Sequence, residues 1–498
     1  MIGLLARRNL TLNPWRTVFL LFGFSMGVAT MIVLLSLGEA LLDQAKDEKL
    51  IGGGSITVLP EGIDVEVLKT GGLGGLYFSI DHARFIGRQL LDAPRLRDVV
   101  SAVAPQIEGK LVYLRTRDGR ERAVRAAGEI PSRSGAVGAP VDVSAGAWSD
   151  DVLDRKWRMP TLAELRHEID HFHEPPNEVA GDPSWAEWHY FNVISPDRRR
   201  WTFVSFIVAG AVGGAEGAWG GQVLVTVHEQ GKPARRFTST VPSSQVRYST
   251  SDANVQMGAS RVDVLDDGRY RVHALARADA GGASLALDLD VSPAAGAYFP
   301  GAAIASGVVS GYVVPALRAS ASGSICIARQ CDRYDAAQAY HDHNWGVWRG
   351  VTWEWGAARA GSYTLLYGRV EPPDSVAQPQ PLFVYVVDST GFLAVFRPRE
   401  IRYVDGRTTR VGARAIRTPA GAELVDIQGS DTLRVQLDVE DASASDTRTA
   451  LVERGDARAA RALLRPYFIQ MKGTATISGR IRGTPLAGRG AGFFETYR

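Results

Sequence analysis

The stretch Tyr340–Gly346 reads YHDHNWG and lies among short runs in which apolar and polar residues alternate. The next run, Val351–Trp355, places its two indoles on one face of a strand and Glu354 on the other. Tyr363 and Tyr367 share one face of the run that follows. This pattern predicts paired strands with one aromatic face that can line a barrel.

Similar short runs, bounded by Gly, Pro, Asp or Ser, continue in both directions from this motif. They begin at Trp185 and reach the end of the chain, which is typical of an antiparallel all-β protein. The runs form two series, so we predict a mainly β chain with two tandem antiparallel barrels, residues 185–390 and 391–498. A closed barrel has no free sheet edges and can hold one small ligand.

The N-terminal segment 17–38 contains no charged residue and is long enough to cross the roughly 30 Å apolar layer of a bilayer as a helix. Arg7, Arg8 and Arg16 precede it, so the positive-inside rule predicts a cytoplasmic N-terminus. A cleaved signal peptide is the alternative, but the apolar stretch is longer than usual and ends without a good cleavage site. We therefore predict a single-pass anchor in residues 1–45, in the cytoplasmic (inner) membrane, with the barrels on the periplasmic side.

Composition excludes several functions. The net charge is +2 and no run of Lys and Arg alternates with aromatic residues, so we predict no nucleic-acid partner. Cys326 and Cys331 are the only cysteines, and they either bridge a hairpin or remain free thiols. His167, His171 and His173 have a spacing that fits no standard metal site, so we predict no metal and no cofactor.

Residues 1 to about 130 resemble the beginning of MacB/FtsX-type ABC permeases. The residues that carry this resemblance are LLARRNL at Leu4–Leu10, NPWRT at Asn13–Thr17 and the strand-like Ile56–Val58. The resemblance implies an ABC transporter ATPase or permease as a partner, although no later segment is long enough to span a membrane. We assign residues 46–130 to a small α/β permease-like spacer and residues 131–184 to a linker.

The β region resembles the carotenoid 1,2-hydratase (hydroxyneurosporene synthase) family and its AttH-like relatives. The matching pieces are Glu187–Tyr190 (EWHY), the YHDHNWG motif, Trp353–Gly356 (WEWG) and the closing strand Gly490–Tyr497. The resemblance implies two lipocalin-like (calycin) barrels. It also implies addition of water across an isoprenoid double bond without a redox cofactor, with His343 and Trp345 in the active site.

The residues themselves permit such chemistry. Protonation of a trisubstituted alkene gives a tertiary carbocation, which requires an acid, a dry pocket and aromatic faces. Asp342 or Glu354 is the candidate acid if burial raises its pKa, and His343 is the candidate group that handles water. The candidate ligand-binding residues, all aromatic or histidine, are His341, Trp345, Trp348, Trp353, Trp355, Tyr363 and Tyr367.

The sequence is also compatible with ligand binding without catalysis and with a structural role. The strand Tyr363–Val370 carries no carboxylate, so the barrels could bind a hydrophobic small molecule or lipid without catalysis, as an accessory component of an ABC export system. The motif could also be a structural latch in an inert scaffold. A cavity lined by Trp345, Trp353 and Tyr367, with His343 or Asp342 facing it, would favour ligand handling over the scaffold.

Overall fold

The computed structural model describes residues 12, 14–47, 54–58, 80–92, 95–96, 98–138, 169–215, 217–279, 281–303, 310–371, 381–448, 461 and 463–498. The chain divides into two compact units, one formed by residues 1–78 and 102–154 and the other by residues 79–101 and 155–498.

In the residues that the structure describes, the first unit contains two helices and a hairpin. Their bounds are α1 Pro14–Asp47, β1 Gln106–Arg115, β2 Glu121–Glu129 and the short α3 Pro131–Ala136, while α2 (Ile80–Asp92) belongs to the second unit. Strands β1 and β2 pair antiparallel. Helix α1 covers the predicted anchor, but the described residues contain no helix with the length and apolar character needed to cross a membrane. The predicted anchor and its orientation stay predictions.

After helix α2, the described part of the second unit contains an antiparallel sheet of twelve strands. They are β3 Trp185–Ile194, β4 Arg200–Gly210, β5 Trp219–Glu229, β6 Arg235–Pro242, β7 Val246–Tyr248, β8 Val255–Met257, β9 Ser260–Val264, β10 Tyr270–Ala278, β11 Ser284–Pro293, β12 Phe299–Ala303, β13 Ser310–Ile327 and β14 Gln330–Val347. Strand β10 pairs with both β6 and β11. The pairings therefore close a ring through β10, β11, β13, β14, β3, β4, β5 and β6.

Alternation of side chains explains the interior of this ring. In β10, Tyr270, Val272, Ala274 and Ala276 are buried, whereas Arg271 and Leu275 between them are exposed. Inward residues of the other strands, including the large Phe191, Phe206 and Phe237, join them in one core. Strand β14 departs from this pattern because it is buried on both faces from Ala339 to His343.

The remaining strands form a nine-stranded antiparallel sheet, in the order β18-β17-β16-β15-β23-β22-β21-β20-β19. They are β15 Thr352–Ala360, β16 Tyr363–Glu371, β17 Phe383–Asp388, β18 Gly391–Phe396, β19 Arg402–Val411, β20 Arg414–Gln428, β21 Asp431–Asp446, β22 Tyr467–Ile481 and β23 Thr484–Tyr497. Among the described residues no pairing joins the end strands β18 and β19.

The mainly β, antiparallel fold class is thus confirmed, whereas two closed barrels are not. The last strand of the first sheet ends at Val347 and the first strand of the second sheet begins at Thr352. The predicted boundary between the two barrels lies later, at residue 390. Strands β15 to β18 pair within the second sheet. Strand-like runs in a sequence show where strands lie but not which strands pair. The division into domains at residue 390 stays a prediction.

A disulfide joins Cys326 and Cys331, which face each other across the β13–β14 hairpin. This resolves the two alternatives in favour of a bridge. The double variant Cys326→Ser/Cys331→Ser is expected to lose about 2 kcal/mol of unfolding free energy, because the bridge closes a short loop in the unfolded chain. Urea unfolding measures the loss. Equal stability of both proteins without reductant would contradict it, and adding reductant should remove the difference.

Candidate functional site

The YHDHNWG motif lies on β14, where successive side chains point to opposite faces. His341, His343 and Trp345 point toward the interior of the first ring. Tyr340, Asp342 and Asn344 are on the face toward the second sheet, where Tyr340 packs with Trp355 and Phe493. The motif therefore contributes to two separate sites on either side of one strand.

A cavity of about 780 Å³ lies on the second-sheet face of β14. Its aromatic wall includes Trp188, Trp348, Trp353 and Trp355, and its polar lining includes Asp342 and Glu495. The indoles of Trp188 and Trp348 have their ring centres 4.8 Å apart, and those of Trp348 and Trp353 are 5.8 Å apart. The cavity thus combines a large apolar surface with two buried carboxyl groups and the more exposed carboxyl of Asp441. Apolar walls with a few polar groups are typical of small-molecule sites.

Asp342 is the first of these carboxyl groups and is only 3% exposed. Its Oδ2 accepts a hydrogen bond from the Tyr340 hydroxyl (2.7 Å), and its Oδ1 accepts one from the Asn344 amide (2.6 Å). Trp355 in turn donates its indole N–H to the Tyr340 oxygen (2.9 Å). Burial, with the nearby charge of Glu495, raises the pKa of Asp342 to about 7. A carboxyl group of this kind can carry a proton near neutral pH.

Glu495 is the second carboxyl group and comes from β23, the last strand of the chain. Its Oε2 accepts a hydrogen bond from the Trp353 indole (3.0 Å), and its Oε1 accepts one from the Gln470 amide (3.2 Å). Burial raises its pKa as well. Glu495 was not predicted from the sequence, although it is the single carboxylate within the apolar and aromatic run Gly492–Tyr497.

The other face of β14 belongs to a buried polar cluster. The Nδ1 of His343 lies 2.7 Å from an oxygen of Asp170, and its Nε2 lies 3.0 Å from Glu187. Burial opposes a charge on His343, but the two carboxylates outweigh it and raise the pKa of His343 to about 9. Glu187 also contacts His173, through Nδ1 at 2.8 Å. His343 therefore lies buried between two carboxylates, which favour its protonated form.

The structure separates the predicted site residues into three environments. Asp342, Trp348, Trp353 and Trp355 line the cavity. The ring side of β14 carries His341, His343 and Trp345, whose indole stacks on His173 at 4.0 Å. The interior of the second sheet contains Glu354, Tyr363 and Tyr367. Asp170, Glu187, His189 and Glu495 were not singled out from the sequence as site residues.

Glu354 lies outside the cavity because it alternates with Trp353 and Trp355 along β15. The hydroxyl of Tyr403 donates a hydrogen bond to its carboxylate. Burial raises the pKa of Glu354 above the usual value for a glutamate. Glu354 is not among the residues that line the cavity beside Asp342.

This burial predicts a pH-dependent effect of Glu354→Gln. Because the pKa of Glu354 is higher in the folded than in the unfolded state, ionisation in the folded protein costs stability as pH rises above about 4.3. We expect the variant to gain in stability relative to the wild type as pH increases from that value, as measured by urea unfolding across the pH series. Glu440→Gln, a half-exposed partner of Arg198, is the control and should follow the wild-type pH curve. Parallel curves for Glu354→Gln and the wild type would contradict the expected coupling.

The fold resembles several solved structures at low sequence identity. No protein family matches the sequence, and no curated protein matches it. Among solved structures, a putative AttH from Nitrosomonas europaea has 16% identity and a TM-score of 0.41, covering 66% of this chain and 98% of its own. Kievitone hydratase from Nectria haematococca has 13% identity and a TM-score of 0.40, covering 66% and 94%. CghA with Sch210972 has 14% identity and a TM-score of 0.43, covering 63% and 89%.

An AttH-like protein and a hydratase do occur among the similar structures. The permease resemblance and the more specific resemblance to the carotenoid hydratases stay predictions.

Proposed function

We propose that the chain binds an isoprenoid or another unsaturated lipid in the cavity beside β14 and adds water across one of its double bonds. The observation that carries this proposal is the meeting of two buried carboxyl groups, Asp342 and Glu495, with a wall of indoles in one cavity. An acid, a base and aromatic faces are the groups that such a hydration needs. Cavities of this volume enclose ligands of drug-like size.

Each step of the proposed reaction has a group to perform it. Asp342 transfers its proton to one alkene carbon, and the π electrons form the new C–H bond. The adjacent carbon becomes a carbocation, which the faces of Trp353 and Trp355 stabilise by about 0.5–2 kcal/mol per contact. A water molecule attacks this carbon and loses a proton to the carboxylate of Glu495. Return of that proton to Asp342 completes a cycle in which alkene and water become an alcohol.

A labelling experiment on the full chain tests this proposal. The protein is incubated with geranylgeraniol, an isoprenoid alcohol, in water enriched in heavy oxygen, and the extract is analysed by mass spectrometry. We expect a product that has gained one molecule of labelled water. Quenching of tryptophan fluorescence measures binding separately, because several indoles line the cavity. Binding without a labelled product would overturn catalysis on this substrate, and absence of binding would overturn an isoprenoid occupant of the cavity.

A non-catalytic lipid-binding protein is the second candidate, in which the chain serves an ABC export system as an accessory component. One observation favours it: both carboxyl oxygens of Asp342 already accept hydrogen bonds from protein groups, as in a carboxyl with a structural role. Under this alternative, mass spectrometry detects a bound lipid in the extract of the purified protein. Incubation with the protein does not change the mass of that lipid.

Attachment to the cytoplasmic membrane through α1, with the second unit on the periplasmic side, is part of the same proposal. The argument for it is the uncharged segment 17–38 preceded by arginines. Cell fractionation followed by protease treatment of intact spheroplasts tests it. Recovery in the membrane fraction and digestion of the second unit are expected, whereas full protection would overturn the proposed orientation.

A further inference from the structure

A group of three potential metal ligands lies inside the ring of the first sheet, on the side of β14 away from the cavity. Asp170, His189 and His341 each offer one ligand atom, and these atoms lie within 4.8 Å of one another. All three side chains are buried, with at most 1% exposure. They come from three places in the fold, namely β3, β14 and the segment that precedes β3.

Contacts on the outer sides of the two imidazoles fix which nitrogen faces inward. The Nδ1 of His341 lies 3.1 Å from the backbone oxygen of Tyr190, and the Nε2 of His189 lies 2.8 Å from that of Ala253. A carbonyl oxygen accepts only, so each of these nitrogens carries the proton and donates. In the neutral rings, the inward atoms, Nε2 of His341 and Nδ1 of His189, then present lone pairs. Metal-binding histidines are held in this way, with the second ring nitrogen donating to a carbonyl or carboxylate.

The inward nitrogen of His189 provides an independent sign of a ligand. It has no hydrogen-bond partner although it is fully buried, and the nearest carboxylate oxygen, on Asp170, is 3.9 Å away. The Nε2 of His341 lies 3.2 Å from the other oxygen of Asp170. A nitrogen lone pair and a carboxylate oxygen repel one another unless a proton or a cation lies between them, and of the two inward nitrogens His189 Nδ1 is the one without a hydrogen-bond partner.

Asp170 is also held by groups outside the three potential ligands. Its Oδ1 lies 2.7 Å from the Nδ1 of His343, and the hydroxyl of Tyr270 donates a hydrogen bond to its Oδ2 at 2.5 Å.

We propose that the Asp170 carboxylate, Nδ1 of His189 and Nε2 of His341 bind one divalent transition-metal ion, for which Zn²⁺ is the best fit. Two imidazoles and a carboxylate suit Zn²⁺, whereas Ca²⁺ and Mg²⁺ prefer oxygen ligands alone. Ligand atoms of a tetrahedral zinc site lie about 3.3 Å apart, so small side-chain movements close the site. Tyr270 and His343 hold the Asp170 carboxylate in place as outer partners. The ion would tie the segment around Asp170 to the ring.

Metal analysis of the full chain tests the proposal directly. The protein is purified with a tag that contains no histidine, stripped with a chelator and titrated with Zn²⁺ and with Co²⁺. We expect one ion per chain, a rise in the melting temperature with Zn²⁺, and visible Co²⁺ absorption of a low-coordinate site. All of these readouts use the wild-type protein, so none depends on whether a variant folds.

Two matched variants locate the ion. His189→Gln removes the unpartnered nitrogen and should weaken Zn²⁺ binding by more than about 100-fold, since loss of an outer partner alone costs up to that factor. His228→Gln removes an equally buried imidazole that contacts Asp441 elsewhere in the second unit, and it should bind Zn²⁺ as the wild type does. The proposal is overturned if the wild type binds no Zn²⁺ in stoichiometric amount, or if His189→Gln binds it unchanged.

Discussion

Asp342→Asn is expected to lower the rate of hydration by about 10²- to 10⁴-fold, the usual contribution of a general acid. The amide cannot donate the proton that the alkene must receive, yet it has nearly the same size and can still accept from Tyr340. Ligand binding should therefore change by only a few-fold. The labelled-water assay measures the rate, and quenching of tryptophan fluorescence measures binding on the same preparation.

Asp441→Asn is the matched control for this prediction. Asp441 also lines the cavity, but its side chain is 38% exposed and pairs with His228. Its loss should change the rate by only a few-fold. If Asp342→Asn hydrates the substrate as fast as the wild type, Asp342 serves only as the partner of Tyr340 and Asn344, and the acid must be sought elsewhere.

Asp170→Asn is expected to destabilise the protein by about 3–5 kcal/mol, the usual cost of breaking a buried ion pair from one side. Asp170 contacts His343, His341 and Tyr270 within the ring, and an amide cannot balance the charge of His343. Urea unfolding of the wild type and the variant measures the difference. Both proteins are kept in chelator, so that loss of a bound metal ion does not contribute.

Asp332→Asn is the control for this prediction. It shows how much stability is lost when a carboxylate is removed from an exposed ion pair. Asp332 pairs with Arg200 at 2.6 Å, but its side chain is 54% exposed. Exposed pairs contribute about 0–1 kcal/mol, so this variant should remain close to the wild type. A similarly small loss for Asp170→Asn would mean that the buried cluster tolerates removal of its central charge, against the expectation.

The sequence predicted the fold class well because strand periodicity is local. The alternation of Trp353, Glu354 and Trp355 is reproduced in β15, where the indoles face the cavity and the carboxylate faces the other way. The directions of the YHDHNWG side chains could not be predicted in the same way. Both faces of β14 are buried there, so its order of polar and apolar residues does not show which face points inward. Asp342 and His343 were therefore grouped in one site, although adjacent residues of a strand must face opposite sides.

The site residues that were not predicted from the sequence depend on pairing between strands that are far apart in the chain. Glu495 contacts Trp353 across a separation of 142 residues, and Asp170 contacts His343 across 173. Nothing in the spacing of single residues reveals such contacts, which depend on how strands are ordered in a sheet. The metal-ligand group escaped notice for the same reason, because His189 and His341 become neighbours only when β3 pairs with β14.

Both faces of β14 are buried, so the register of β14 against its neighbouring strands decides which of its side chains face the cavity. If β14 slipped by one residue against β3, Asp342 would exchange faces with its neighbours, and an imidazole would enter the cavity in place of the carboxyl. Irregularities in the β13–β14 pairing occur beside His341 and His343, and each alters which residues oppose one another. Insertions or deletions in the hairpin between Ile327 and Gln330 could therefore change the reactivity of the cavity without altering any residue that lines it.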